Sequence, residues 1–406
     1  MTQLRQSRAV SPHSLLVVLL VTAIAAVTGC TRDPFDAERP EQRFENKYTY
    51  TTILPNEDIS YVAAAVAADG RMAVAAFTGL RELTILESTA GAWSEIKTLS
   101  GNGIIARVVD LAAGADGSWW VAASNTDTGA KLYRIGGPGD AVYTPPDSAN
   151  VPWDALDERI AVQWDSTEAL VAVQPDGWPI LALRSPGKGL VHAALADTGW
   201  ALSLIQNSTD TGFLWDMAAD ENGVIHTIFQ PSSSATGHYS RVGSDSTHSS
   251  EIPGSGAFLA LALGADNLPF VAGGVSGISR LRLWHWRPDT PETTWPSEEL
   301  PLDTSEPYLA NCGIVIETDE TPHFYFAVFH GSQRFDLMWG TRSPETAGFG
   351  WSLDPVVRDI PHMGDATRLR GFKVLLDTFD RPIFIFLTAP IDRLNADLVV
   401  AVPRDL

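Results

Sequence analysis

Between residues 60 and 390 the chain repeats one phrase: a run of small apolar residues, a tight polar turn, and a second apolar run. It does so seven times, with turns centred on Gly70, Gly117, Gly177, Gly223, Asn267, Glu320 and Asp380. Self-similarity at a period of about 50 residues marks a repeat architecture, in which each unit buries its apolar faces by stacking on its neighbours. The third copy, Leu170 to Ile205, displays the unit in full: an apolar run, the turn Pro175-Asp176-Gly177, a second run from Ile180 to Leu183, a loop, a third run, the turn Asp197-Thr198-Gly199, and a fourth run opening on Trp200. Four short strands joined by tight turns predict one up-and-down antiparallel sheet. Asp and Gly belong in such turns because a reversal over one or two residues calls for positive φ, and because an Asp carboxylate bonds the backbone two residues on.

Two further regularities fix the strand limits. In the third, fifth, sixth and seventh copies a proline follows two residues past the turn centre, at Pro179, Pro269, Pro322 and Pro382. Because proline is tolerated at the first residue of a strand and not within it, these mark where each second strand begins. A tryptophan comes 24 residues after the turn Asp in two copies, Asp69 to Trp93 and Asp176 to Trp200, and Trp295 and Trp351 hold the same place after longer loops. A large aromatic at the start of an outer strand serves the packing of one sheet on the next.

Seven copies suit a seven-bladed propeller with four-stranded blades. The last copy is one strand short, because after Asp380 only Ile383–Leu387 and Ala396–Val402 read as strands. Lys47 to Leu54, an extended run ahead of the first copy, is expected to supply the missing outer strand, closing the ring and covering an open edge. In the 60 residues between Gly117 and Gly177, either the AVYT or the RIAVQW segment has the character of the fourth strand. The turn-then-proline pattern with its later tryptophan resembles the repeats of bacterial extracellular β-propellers over residues 45–406. That resemblance implies an all-β fold and a binding or structural module more often than an enzyme.

The N-terminal residues give an expected address. Arg5 and Arg8 precede an apolar stretch from Leu15 to Val27, followed by Val27-Thr28-Gly29-Cys30. Basic, apolar and small-residue segments in that order make a secretory signal, and the apolar stretch is shorter than the roughly 20 residues needed to span a bilayer. The last four residues resemble the bacterial lipobox, which implies removal of residues 1–29, acylation of Cys30 and anchorage to the membrane through that lipid. Thr31 in place of Asp then favours the outer membrane. Residues 30–44, charged and carrying two prolines, read as a tether, and 45–406 as one propeller domain.

Composition narrows the partners. The formal charge of −21 becomes −23 once the two arginines of the signal are lost, which argues against nucleic acid. Apart from Cys30 there is one cysteine, Cys312, so no intrachain disulfide is expected, and its apolar surroundings make it a buried small hydrophobe. The histidines lack metal-ligand spacing, and no nucleophile elbow, phosphate loop or other cofactor signature occurs. His226 and His323 share one repeat position, three residues past the turn, and are read as packing residues. Ser208 to Trp215 matches the Ser-x-Asp-x-Gly-x-x-Trp box of sialidase-type propellers, but occurs once and between blades, where it supports no such activity.

One constellation of cations remains. The loops joining second to third strands open on the face opposite the Asp-Gly turns, and carry Arg81, Lys131, Arg184, Lys188, Arg280, Arg334 and Arg393, a set of cations suited to an anionic glycan or an acidic protein patch. The expected function is thus a lipid-anchored exported propeller acting as a binding or scaffold module, with no assigned catalytic residue, metal or cofactor. One alternative is a carbohydrate-active hydrolase or lyase, which requires two converging carboxylates with shifted pKa values in the central pocket. Another is a subunit of an outer-membrane assembly, which requires an exposed apolar patch.

Overall fold

The computed structural model describes residues 43–404 other than 80–81, 90, 101–108, 126–128, 146–168, 186–188, 207–211, 232, 244–246, 257, 276–277, 287–294, 301–307, 331–333, 344–349, 362–371 and 389–394. The signal, the lipobox with Cys30 and most of the tether lie outside the described residues.

Seven antiparallel sheets follow one another along the chain. The first six blades each take four consecutive strands, running from Ile59 to Ser100, Val109 to Tyr143, Ala169 to Gln206, Phe213 to Glu251, Ala260 to Glu299, and Tyr308 to Pro361. The seventh has Lys373–Leu376, Pro382–Thr388 and Ala396–Pro403, and its outer strand is Tyr48–Glu57 from the other end of the chain. The first strand of every blade packs on the first strand of the next, and that of blade seven packs on that of blade one, so the sheets form a closed ring. The fold is an all-β, seven-bladed β-propeller closed by an N-terminal strand.

Each of the seven turns is built alike. The central residue has positive φ, from +76° to +87° at the four glycines and +63°, +68° and +58° at Asn267, Glu320 and Asp380. Its N–H donates to the carbonyl three residues back, as in Gly177 to Gln174 at 2.8 Å and Glu320 to Glu317 at 2.9 Å. An Asp carboxylate then accepts the N–H two residues on, as Asp176 does from Trp178 at 3.0 Å. Pro179, Pro269, Pro322 and Pro382 are each the first residue of a second strand, as their missing N–H requires. Trp93, Trp200 and Trp351 are each the second residue of an outer strand, and Trp295 lies just before one. The fourth strand of blade two is Ala141–Tyr143, which pairs with Leu132–Arg134, and the RIAVQW segment lies outside the described residues.

There is one hydrophobic cluster at each of the seven blade interfaces. Second strands are buried on both faces, which is why they read as continuous apolar runs: Ala73, Val74, Ala75 and Ala76 have no exposed surface at all. Outer strands such as Thr247–Glu251 alternate between exposed and half-buried positions. His226 and His323 are buried, with His226 Nδ1 2.7 Å from the Tyr239 hydroxyl and His323 stacked on Trp339, in agreement with a packing role.

The N-terminal segment clasps two blades. Arg43–Phe44 pairs with Val357 and Arg358 as a fifth strand on blade six before the chain crosses to blade seven. The Tyr50 hydroxyl donates to the Val356 carbonyl at 2.6 Å, and Arg358 and Asp354 meet Glu45 and Lys47 at 3.0 and 2.9 Å.

Candidate binding site in the central channel

First strands line the channel because each is the inner edge of its blade. Seven residues before the turn centre, the repeat position reads Ala63, Asp110, Leu170, Asp216, Ala260, Gly313 and Lys373. Three of the seven are charged, and Asp110, Asp216 and Lys373 line one cavity of about 130 Å³ with residues from every blade. Because the first strand runs toward its Asp-Gly turn, Tyr61, Trp215 and Phe258, which line the cavity and stand ahead of this position, place the cavity mouth toward the opposite face.

The two carboxylates hold equivalent posts. Asp110 Oδ2 accepts the N–H of Val171 on blade three at 2.8 Å, and Asp216 Oδ2 accepts that of Leu261 on blade five, also at 2.8 Å. Met217 N–H donates to Asp216 Oδ1 at 2.8 Å. A carboxylate oxygen takes two donors, so each of these keeps acceptor capacity after its bond to the backbone. Burial raises the pKa of Asp110, against the opposing pull of the Lys373 charge. Burial likewise pushes Asp216 up to about 6, with Lys373 and the Leu261 N–H opposing and the charge of Asp110 assisting. Two carboxylates and one ammonium therefore share a poorly solvated space, and one carboxylate changes charge close to neutrality.

Around them stand Cys312 and Tyr325 of blade six. The Cys312 thiol is buried as expected, but it also faces the channel and donates to the Phe258 carbonyl at 2.8 Å. Burial, then the Asp216 charge, push its pKa up to about 12, so it is held as a thiol. Tyr325 comes from a second strand and reaches the cavity across Gly313, where a Cβ would overlap the Tyr325 ring. Its pKa is raised by burial and by Asp216, and its oxygen takes a hydrogen bond from the Val374 backbone.

Aromatic rings edge the mouth. Leu214 and Asp216 pair with consecutive residues of the next strand, which leaves Trp215 as the extra residue of a β-bulge and turns it into the cavity. Trp215 Nε1 donates to Gln230 Oε1 at 3.3 Å, and its ring lies 5.7 Å from Phe258 and 5.9 Å from Phe213. Trp215 closes the sialidase-type string noted in the sequence. That string runs into an innermost strand and not an outer one; residues 208–211 of it lie outside the described residues.

Of the seven cations singled out by sequence, Arg81, Lys188 and Arg393 lie outside the described residues. Arg280 is bound to Glu299 at 2.7 Å, and Arg334 Nη1 donates to the Asp359 carbonyl at 3.3 Å. Lys131 is half-buried in the third strand of blade two, opposite Ala123. Arg184 lies with its guanidinium 5.7 Å from the centre of the Phe213 ring, beside the aromatic mouth. Sequence reasoning did not single out Asp110, Asp216 and Lys373. The signal was available: aligned on the turns, they are charges in a register position that is otherwise Ala, Leu or Gly. Among the described residues no group of three or more His, Cys, Asp or Glu is placed to hold a metal ion.

No known family model matches the chain, and no curated protein matches it. Solved structures with a similar chain path include YCF48 from Cyanidioschyzon merolae, at 13% identity and a TM-score of 0.49, covering 87% of this chain and 98% of that one. A fucose-specific lectin from Aleuria aurantia is 13% identical with a TM-score of 0.46, over 75% of this chain and 98% of the lectin. NanB, solved with Optactamide, is 10% identical with a TM-score of 0.47, over 88% of this chain and 70% of that one.

Proposed function

We propose that this protein is a lipid-anchored binding module of the bacterial envelope, tethered through Cys30, whose ligand enters the central channel from the face opposite the seven turns. The observation that carries the reading is the convergence of Asp110, Asp216 and Lys373 from three separate blades on one cavity edged by aromatic rings. A pocket with a few charged groups on an apolar wall is what fixes a small polar ligand in one orientation. Burying ionisable groups is costly, and in blades one, three, five and six Ala, Leu, Ala and Gly serve at the same position. Binding of a glycan or peptide end to the full-length chain in detergent, lost in the Lys373→Met variant while its circular dichroism is unchanged, is the expected result. Equal binding by parent and variant would place the ligand elsewhere. For the anchor, the parent is expected to fractionate with membranes and Cys30→Ser to be released.

A second reading, a hydrolase or lyase acting on carbohydrate, draws on one observation: the two carboxylates share the cavity, and Asp216, at about 6, can hold a proton for donation near neutrality. It predicts cleavage of an oligosaccharide that is abolished by Asp110→Asn and by Asp216→Asn separately. The assembly-subunit alternative draws no comparable support: among the described residues, Phe44, Ile96, Val142 and Phe379 are exposed on different blades, and only Phe213 and Phe258 flank a common neighbour.

A further inference from the structure

The backbone at Phe258 has φ +60°, a conformation that a bulky L residue rarely adopts. Its surroundings impose this geometry. The next residue, Leu259, is 4% exposed and fills the space over Gly237 and Gly273, where a Cβ would run into it. The Phe258 carbonyl is held by the Cys312 thiol at 2.8 Å, and Gly256 N–H donates to the Gly274 carbonyl at 2.7 Å. Yet the ring so fixed is not closed into the core: it stays 36% exposed, at the cavity mouth, 5.7 Å from Trp215 and tilted 55° to it. Trp215 in turn is put there by a β-bulge and oriented by Gln230. Two backbone irregularities on adjacent blades thus serve to present two rings toward one opening, next to Asp216. Strain kept in place at a surface opening points to function, since a glycine or asparagine would satisfy the fold at lower cost.

Resting on the binding-module reading, we infer that Trp215 and Phe258 form a stacking platform for a neutral pyranose ring, with Asp216 and Lys373 bonding its hydroxyls. A pyranose offers an apolar face of C–H bonds to an aromatic ring and a rim of hydroxyls that both donate and accept. The cavity supplies partners for both roles: carboxylate oxygens with acceptor capacity to spare, and an ammonium with three donors. An organic cation would suit the rings and the carboxylates but meets Lys373, and an anionic base or nucleotide meets the −21 charge of the chain.

The test uses full-length protein in detergent, an array of neutral mono- and oligosaccharides, and titration of each hit followed by tryptophan fluorescence. At least one neutral sugar is expected to bind and to shift the emission, and Trp215→Ala and Phe258→Gly should each weaken it about tenfold or more. Phe258→Tyr should keep it. Phe258→Gly should lower the melting temperature by no more than about 2 °C, because relief of the positive φ offsets much of the lost ring contact and the added freedom of the unfolded chain. Loss of binding with stability nearly kept is a signature that a packing residue would not give. Sugar binding indifferent to both variants overturns the platform. Capture of a quaternary ammonium or an amino acid in a Trp215-dependent way, with no sugar bound, overturns the sugar while leaving the binding module standing. If no small ligand binds and Lys373→Met changes nothing, both fall together.

Discussion

Asp216 and its neighbour Trp215 show how one residue position can serve both fold and site. The Asp216 carboxylate ties blade four to blade five through the Leu261 N–H, and its burial beside Asp110 holds the pKa at about 6. A carboxyl whose folded pKa lies above its unfolded value of about 3.9 favours the folded state most when protonated. Its contribution is therefore fully present below about pH 4 and lost as pH rises through about 6. In the Asp216→Asn variant that dependence disappears, so between pH 4 and 7 the stability difference should move in the variant's favour by about 2 kcal/mol, read from urea midpoints at each pH. The opposite sign applies to His192, buried against Thr227 and pushed down to about 3. Folding keeps it neutral, so its stabilisation is complete above about pH 6.5 and drains away as the solution is acidified toward 3. His192→Gln should flatten the acid limb of the stability curve. At the turns, exposed Glu320 has φ +68° where four other copies have glycine. Glu320→Gly should stabilise by about 0.5–1 kcal/mol, the left-handed penalty less the added freedom of the unfolded chain, measured by denaturant titration.

At the level of the element, the N-terminal strand carries weight beyond its own hydrogen bonds. Tyr48–Glu57 supplies the outer strand of blade seven, and Tyr48 is 5% exposed in the cluster between blades six and seven. Tyr48→Ala should cost about 3 kcal/mol, as for other large buried aromatics, whereas Tyr50→Phe, which loses the 2.6 Å bond to Val356, should cost about 1 kcal/mol. Both are read from denaturant midpoints. Prolines at the head of second strands act the other way, by exclusion: they forbid any register in which their position would have to donate, so the hairpin can form in only one way.

For the molecule as a whole, stability is distributed over seven blade interfaces in a closed ring. A closed ring of this kind should unfold as one unit, with tryptophan fluorescence and far-ultraviolet circular dichroism giving coincident transitions. Removing residues 43–57 exposes the edge of Ala396–Pro403 and opens the clasp between blades six and seven. In that variant the two signals should separate, as blade seven frays ahead of the rest. Ring closure also makes the cavity, because residues 110, 216 and 373 meet only when every intervening blade has taken its place.

The architecture was legible in the chain because it rests on local chemistry: positive φ demanded by tight turns, a missing N–H at each strand-opening proline, small apolar runs wherever a strand is buried on both faces, and a last repeat lacking a strand that an early segment could supply. Tertiary structure alone decided that residues 110, 216 and 373 converge, how Arg280 and Arg334 are partnered, that a bulge aims Trp215 inward, and that Phe258 is held at positive φ. Those outcomes follow from contacts between distant residues, such as Leu259 over Gly237 and Gly273 or Cys312 at the Phe258 carbonyl, and a periodic pattern records no such pairing. A turn is specified by four neighbouring residues, whereas a channel is specified by seven strands at once.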